Sequence, residues 1–524
     1  MRRGFIAVVG SLSMIVLAGC QGTLRGTLQG TPAQSADTSI QVPHAKLRSG
    51  SVNWVIKDYQ LAGPADLAGY TDHVSVRSGE PFKLYVSSSD GSFSVHAFRL
   101  GWYGGTGARR VWTSPVVPGV KQAAPTLNRL RMVTTNWRPS LTVPTTGWVP
   151  GAYLLLLRAA NGKEKYVPMV VRSDSARNAV LIVDAVNTEE AYNAWGGYSL
   201  YHGPHEQHAT RSLAVTFDRP YDLSGARGLM NFTAPVIQEA EQSGVRLAYA
   251  TSADLEADPG LLAGARGIVF GGHDEYWTLG MRNAVTKARD HGTNLAFLGA
   301  NSVFWRVRYA PSGLGPRRVM IGYKDASLDP LKNQPGTTVR WRSAPYPDPE
   351  NSLTGMLYEC FPAVGAFTVR DPGFFLFAGT RVRAGTAYPG LIGDEADRAY
   401  PIPGTPANLQ VVAHSRTTCG RLHTYSDASY YTVPSGAGVF ATGSIEWVRA
   451  LAGPDAKAGV GPAGVAFARA VTLNVFRSLA GGPMGRKHPA SADFARLHES
   501  PSTTSGTGGP IGKPASPKEL RSKA

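Results

Sequence analysis

The chain is short of charge and of cysteine, and it has no apolar run long enough to cross a bilayer. Of its 524 residues 17% are charged and three are cysteine, against 60 glycines and 37 prolines. With 43% hydrophobic residues, that composition excludes a disordered chain, and the glycine and proline argue against a helical bundle. No basic run or basic-aromatic stripe accompanies the formal charge of +16. That argues against nucleic acid and leaves an anionic membrane surface or an acidic envelope polymer as the partner of a basic face. Several catalytic signatures are missing. There is no HExxH and no paired CxxC, which lowers zinc. His414 and Ser415 lack a nucleophile elbow, and the glycine-rich residues 101–107 lack the Lys-Ser/Thr of a phosphate loop. No internal repeat is present. At 524 residues, two or three domains are expected.

What is there begins with an export signal. Arg2-Arg3 precede an apolar stretch over residues 5–17, then Leu17-Ala18-Gly19-Cys20. The stretch is too short to span a membrane, and the tetrapeptide resembles the lipobox of bacterial lipoproteins. The expectation is a signal peptide over 1–20, lipid on Cys20 anchoring an exported protein to the bacterial cell envelope, and a polar tether over 21–50. Cys360 and Cys419 are then left as a pair, expected as a disulfide in an oxidising compartment, with two buried free thiols as the alternative.

Residues 51–172 alternate polar and apolar in short runs such as Phe82-Lys83-Leu84-Tyr85-Val86, separated by turns such as Asn161-Gly162. This predicts an antiparallel, immunoglobulin-like β-sandwich. From 173 to 481 the texture changes. Ala179-Val180-Leu181-Ile182-Val183 is a continuous apolar run, and helical patterns over 234–243, 253–262 and 464–478 alternate with strands. That predicts a doubly wound α/β domain, interrupted by a β-rich insertion at about 308–406. Residues 482–524 are nearly devoid of apolar side chains and are expected to form a disordered tail.

Two loops concentrate chemistry. Gly271-Gly272-His273-Asp274-Glu275-Tyr276-Trp277 follows the apolar run 265–270 and precedes a helical pattern. Tyr192, Tyr198 and Tyr201 lie beside Gly196-Gly197 after the first parallel strand. Both loops belong at the carboxyl edge of a parallel sheet, where ligand sites gather. An aromatic loop packed on the core is the bland account of the tyrosines, and a solvated loop is that of His202, His205 and His208. The sharper account uses the hard oxygens of tyrosine and glutamate to hold a ferric ion, with His273 and Glu275 alternating and pointing the same way. Water bound there would be acidified into a nucleophile. Asp427, Ser429, Tyr430 and Tyr431 follow a predicted strand and would reach the same crevice or pack in a turn. Glu446 reads as structural.

These stretches carry a resemblance. Arg99-Leu100-Gly101-Trp102-Tyr103-Gly104-Gly105-Thr106-Gly107-Ala108-Arg109, Ala191-Tyr192-Asn193-Ala194-Trp195-Gly196-Gly197-Tyr198-Ser199-Leu200-Tyr201, Phe217-Asp218-Arg219-Pro220, the Gly-His-Asp-Glu-Tyr-Trp loop and Leu298-Gly299-Ala300-Asn301-Ser302-Val303-Phe304-Trp305-Arg306 are similar to the large (β) subunit family of N,N-dimethylformamidase, over roughly residues 53–481. The resemblance implies a class I glutamine amidotransferase-like sheet without its catalytic cysteine. It also implies a mononuclear ferric iron held by two tyrosines and a glutamate. Carried over, Glu275 is the carboxylate ligand and Tyr192 and Tyr201 are the tyrosines, with Tyr198 a rival for the second place. His273 stands beside the metal, Asn301 near the substrate, and Glu395 is a second acid that handles protons. The connection between Tyr192 and Tyr201 is shorter here than in the amidase, and the amidase's small subunit is not in this chain.

The expected function is an exported, lipid-anchored metallohydrolase that cleaves a C–N amide bond of a small amide. The alternative is a non-enzymatic surface lipoprotein binding cell-wall glycan or protein. Self-association into a homo-oligomer is left open. The discriminator is geometric, because a metallohydrolase needs the oxygens of Tyr192, Tyr201 and Glu275 to converge.

Overall fold

The structure, a computed structural model, describes residues 40–41 and 49–497, which belong to one compact unit. The export signal, Cys20, most of the 21–50 tether and the end of the tail lie outside the described residues. Among the described residues no helix is long and apolar enough to cross a membrane. The architecture is mixed α/β, with more strand than helix and several sheets.

The alternating N-terminal sequence forms two sheets over a shared core. One orders its strands Leu141–Val143, Phe82–Ser88, Leu67–Thr71. The other centres on Gly151–Ala159, antiparallel to both Glu164–Arg172 and Ser92–Leu100. Leu84, Val86, Val95, Ala97, Leu155 and Leu157 point into the space between them, as period two requires. The opposite face of the second sheet is also covered. Leu154, Leu156, Phe98 and Val170 pack with Val236, Ile237 and Ala240 of a helix from the second half. Burial on both faces explains why Leu154-Leu155-Leu156-Leu157 is apolar throughout.

Arg99 and Glu241 join the two halves. Both are buried, the guanidinium lies 2.7 Å from the carboxylate, and Glu241 also accepts from the Trp102 amide at 2.9 Å and the Tyr249 hydroxyl at 3.1 Å. The Arg99-Leu100-Gly101-Trp102 motif is therefore a docking device for the sandwich.

The second half begins with strand β1 (Val180–Asp184) and helix α1 (Val186–Tyr192). Helix α2 (Ala234–Ser243) and strand β2 (Arg246–Thr251) follow, and Gly244 ends α2 with φ 73°. Next come strand β3 (Gly267–Gly272), helix α3 (Leu279–Asp290) and strand β4 (Asn294–Gly299). Later strands are β5 (Leu357–Thr368), β6 (Ala387–Arg398), β7 (Gln410–Cys419), β8 (Leu422–Thr432) and β9 (Gly438–Ala441), before the closing helix α4 (Pro462–Ala480). The sheet runs β2-β1-β3-β4-β9-β8-β7-β5-β6, with Ile40–Gln41 at its first edge. From β2 to β9 neighbours are parallel, and from β9 to β6 they are antiparallel. The chain order reverses between β1 and β3, the switch point where doubly wound sheets open a crevice.

Three expectations need adjustment. The β-rich stretch 308–406 does not stand apart, since β5 and β6 extend the main sheet. Trp305–Ser312 and Gly315–Ile321 instead form a small sheet with Ala214–Thr216 and Tyr276–Thr278. The predicted helix 253–262 stops at Ala257 and resumes as a short 3-10 turn, because Pro259 disfavours a helical Asp258. The expected tail from 482 is anchored as far as 497. Met484 is buried, Asp493 accepts from the Val411 amide at 2.9 Å, and His488 stacks on Phe375 at 4.1 Å. A few well-placed contacts outweigh the polar composition there. Cys360 and Cys419 are joined as a disulfide, with Cα atoms 6.1 Å apart.

Replacing Arg99 with Met would leave Glu241 as an unpaired buried charge. Arg99→Met is expected to lower unfolding free energy by about 3–5 kcal/mol, read as a shift in urea midpoint. A loss under about 1 kcal/mol would remove this pair as the clasp between the halves.

Candidate active site

The switch point brings together the segments leaving β1 and β3. Helix α1 starts after β1 and places Thr188 and Tyr192 on one face, four residues apart. The chain then folds back under the control of Arg219. Its buried guanidinium donates to Glu190 at 2.7 Å and to the carbonyls of Asn193 at 2.9 Å, Trp195 at 3.1 Å and Tyr198 at 3.0 Å. This grip returns residues 199–201 toward α1, so that the rings of Tyr192 and Tyr201 stack with centroids 4.4 Å apart.

The segment after β3 is pinned from both sides. Gly272 turns with φ 64°, and a Cβ there would lie 2.5 Å from the Phe232 ring. The Glu275 amide donates to Thr188 Oγ1 at 2.9 Å. The Glu275 carbonyl accepts from the amides of Phe304 and Trp305, both at 2.9 Å, and Trp277 Nε1 donates to the Asp274 carbonyl at 2.9 Å. Asp274, Tyr276 and Trp277 thus serve as scaffold around Glu275.

Three oxygens meet at the centre. Tyr192 Oη lies 2.9 Å from Tyr201 Oη and 2.9 Å from Glu275 Oε2, and Tyr201 Oη lies 2.7 Å from both Glu275 oxygens. Burial, and then the Glu275 carboxylate, push both phenols well above the ordinary tyrosine range. His273 Nε2 is 3.6 Å from Glu275 Oε2 and 3.2 Å from Glu395 Oε2. Burial alone would lower the His273 imidazole, but Glu395 and then Glu275 outweigh it and raise it to about 9. Burial raises the Glu395 carboxyl, with His273 opposing.

The sequence candidates divide clearly. Tyr192, Tyr201, Glu275, His273 and Glu395 come together. Tyr198 does not, because its ring joins Tyr70, Tyr85, Trp137 and Trp195 in a separate cluster. Asn301 is buried with φ 56°, its amide donating to Asp397 at 2.8 Å, and it does not line the cavity described below. Asp427 is paired with His414 at 2.6 Å, and Tyr430 and Tyr431 are buried in the core. Among the described residues no group of three or more His, Cys, Asp or Glu is arranged to hold a metal, so His202, His205 and His208 form no such site.

Three contributors escaped the sequence reading. Thr188 and Arg219 act through long-range hydrogen bonds, although Arg219 lay in plain view within Phe217-Asp218-Arg219-Pro220. Lys324 is half-buried with its Nζ covered, 3.4 Å from the Tyr201 ring centroid, 4.8 Å from that of Trp305 and 5.1 Å from that of Tyr276. Burial lowers it to about 7, with Glu275 partly offsetting. A lone lysine in an irregular stretch gave no signal.

In front of the three oxygens opens a cavity of about 780 Å³. Tyr192, Tyr201, His273 and Glu395 line it on one side, and Leu61, Pro64 and Lys165 of the N-terminal half on the other.

The family model described as N,N-dimethylformamidase beta subunit-like, C-terminal, matches residues 94–459, more than half of the chain. No curated protein matches. Among solved structures, a Paenibacillus sp. cycloisomaltooligosaccharide glucanotransferase complexed with cycloisomaltoheptaose is similar at 17% identity, with a TM-score of 0.14. That match covers 25% of this chain and 18% of the other, so the chain spans less than a fifth of that enzyme's length. A likeness this partial carries no argument.

Arg219→Met would strand the Glu190 carboxylate and three carbonyls together. It is expected to cost about 3–5 kcal/mol in unfolding free energy, whereas Tyr198→Phe should stay within about 1 kcal/mol. Equal effects in urea titrations would refute the part assigned to Arg219.

Proposed function

The chain belongs to the N,N-dimethylformamidase beta subunit-like family, and from that premise we propose that it is an exported, iron-dependent amidohydrolase that cleaves the C–N bond of an amide. The convergence of the Tyr192, Tyr201 and Glu275 oxygens, with both tyrosines lining a cavity, carries this reading. The strand order β2-β1-β3-β4 suits the glutamine amidotransferase-like sheet we infer for it. The Cys360–Cys419 disulfide suits an oxidising compartment, in keeping with export and a lipid anchor at Cys20.

The residues fit a ferric ion. Two oxygens each about 2.0–2.2 Å from one cation and at right angles lie about 2.8–3.1 Å apart, close to the 2.7–2.9 Å separations here. Two phenols and a carboxylate are hard donors, suited to a hard cation. Without a cation, burial keeps the phenols protonated, and a trivalent charge is what would favour their anions.

When bound, the iron supplies a Lewis acid that polarises a carbonyl and acidifies water. Tyr192, Tyr201 and Glu275 hold it in place. Water adds its oxygen to the carbonyl carbon, the C–N bond breaks, and the departing nitrogen takes a proton. Glu395, facing the cavity 3.2 Å from His273, receives the proton that water loses. His273 orients that carboxylate and returns a proton to the leaving nitrogen.

Purified protein is expected to contain about one iron per chain by elemental analysis, with a visible tyrosinate-to-iron absorption band. Glu275→Ala should lose both. Substoichiometric iron with no band would sink the iron reading. In iron-loaded protein, Glu395→Gln is expected to slow hydrolysis of an N-formyl amine by about 10²–10⁴-fold, and an unchanged rate would remove Glu395 from proton transfer.

A further inference from the structure

We infer that the substrate is an extended amide bearing a positively charged amino group, and that Glu189 is the residue that receives that charge. Calling the ligand a substrate rests on the amidohydrolase reading; the pocket for the cation does not.

Size excludes a minimal amide as the natural fit. An amide of five heavy atoms occupies on the order of 100–150 Å³, taking about 30 Å³ per water-sized unit, a small share of a cavity of about 780 Å³. Volumes of about 300–1,000 Å³ accommodate ligands several times larger. At the inner end His273 Nε2 and Glu395 Oε2 form a buried pair 3.2 Å apart, and both residues line the cavity. They mark the end where a polar ligand group sits. The far wall includes Leu61 and Pro64, which precede the family-matched segment 94–459. The extra length is therefore enclosed by a part of the chain outside that segment.

Glu189 lines the cavity one helical turn before Tyr192. Three other acids nearby have cations opposite them. Asp394 lies 2.6 Å from Arg449, Glu190 is held by Arg219, and Asp222 sits in the field of Arg227, Arg219 and Lys165. The groups acting on Glu189 are acids. After burial itself, Asp184 and Glu190 push its carboxyl well above the usual range. An ammonium group is the complement that position lacks, and in a desolvated setting a charge-assisted hydrogen bond is roughly twice as strong as a neutral one. A metal ion fits less well, because Asp184 is engaged by the Thr233 hydroxyl at 2.6 Å and no third ligand is at hand.

A glycine keeps room for this carboxylate. Gly228 has φ −62° and ψ −53°, ordinary helical backbone that any residue adopts. A Cβ there would lie 2.5 Å from Glu189 Cγ and 2.8 Å from its Oε1. The position needs glycine for the space that Glu189 occupies rather than for its backbone. Residues three apart on a helix have Cβ atoms about 5–6 Å apart, so the test uses a ligand of comparable reach, with four methylene groups between its amide and its ammonium.

The test compares mono-N-formyl-1,4-diaminobutane with N-formylpentylamine, in which a methyl group replaces the ammonium. Iron-loaded wild type is expected to favour the charged probe at least tenfold in kcat/KM. A second arm needs no turnover, using calorimetry of n-pentylammonium against n-pentanol. Glu189→Gln, and independently Gly228→Ala, are expected to bring both ratios within about twofold of unity. Equal affinity for the ammonium and the alcohol in wild type, or a preference undiminished in both variants, overturns the inference. If no amide is hydrolysed while the ammonium preference holds, the amidohydrolase reading falls and the cation pocket stands.

Discussion

The candidate site depends on one buried guanidinium. Arg219 takes the Glu190 carboxylate and the carbonyls of Asn193, Trp195 and Tyr198, and both charged side chains are buried. A buried ion pair of this kind adds little net stability, because desolvating both charges offsets their attraction. What it supplies is a path. Helix α1 ends at Tyr192, and without a fixed return the chain has many ways to reach residue 201. Four acceptors converging on one rigid donor select the way that stacks Tyr201 on Tyr192 and aims both phenols at Glu275. The Glu275 side of the contact is set independently by Thr188 and by the amides of Phe304 and Trp305.

That convergence has an electrostatic consequence. Acidic oxygens crowd a poorly solvated centre in a chain whose overall charge is +16. His273 is shared between Glu275 and Glu395, and the other cations within reach do little for this centre. Lys324 faces the back of the Tyr201 ring rather than its oxygen, and its own charge is disfavoured by burial. Arg219 is spent on the loop and Arg449 on Asp394. A structure that fixes three oxygens this closely, with only an imidazolium shared between Glu275 and Glu395 to balance them, has a place for a further positive charge from outside. The same logic applies on a smaller scale at Glu189.

Much of the scaffold was legible from the sequence. The continuous apolar runs of β1 and β3 identified strands covered on both faces, and the glycines after β3 located a loop at the sheet edge. Helix α2 was readable to its last residue because Gly244 ends it in a left-handed turn. The choice between Tyr198 and Tyr201 was not readable, since both lie close in the chain to the same glycines. It turns on where Tyr198's ring goes, and that is against a cluster with Tyr70, Tyr85 and Trp137 from the N-terminal half. Asn301 carried a motif but no direction; its amide is tied to Asp397 and its side chain stays out of the cavity wall. Residues 482–497 defeated a compositional reading because Asp493, Met484 and His488 dock through specific partners rather than through bulk hydrophobicity.

The N-terminal sheets are part of the site rather than an appendage to it. Strand Gly151–Ala159 buries one face in its own core and the other against α2, and the Arg99–Glu241 pair clamps that seam. The cavity is lined from the same two halves, with catalytic candidates on the α/β side and Leu61, Pro64 and Lys165 on the other. Crevices between packed units are favoured places for ligand sites because each wall can change without disturbing the other. Here the division of labour is spatial. The sheet edge fixes the groups that would act on a reacting bond, to within hydrogen-bond distances. The opposing wall sets how much of a ligand beyond that bond is enclosed. A change in the loop around Leu61 would alter ligand length while leaving Tyr192, Tyr201 and Glu275 untouched, since none of the contacts that hold those three passes through it.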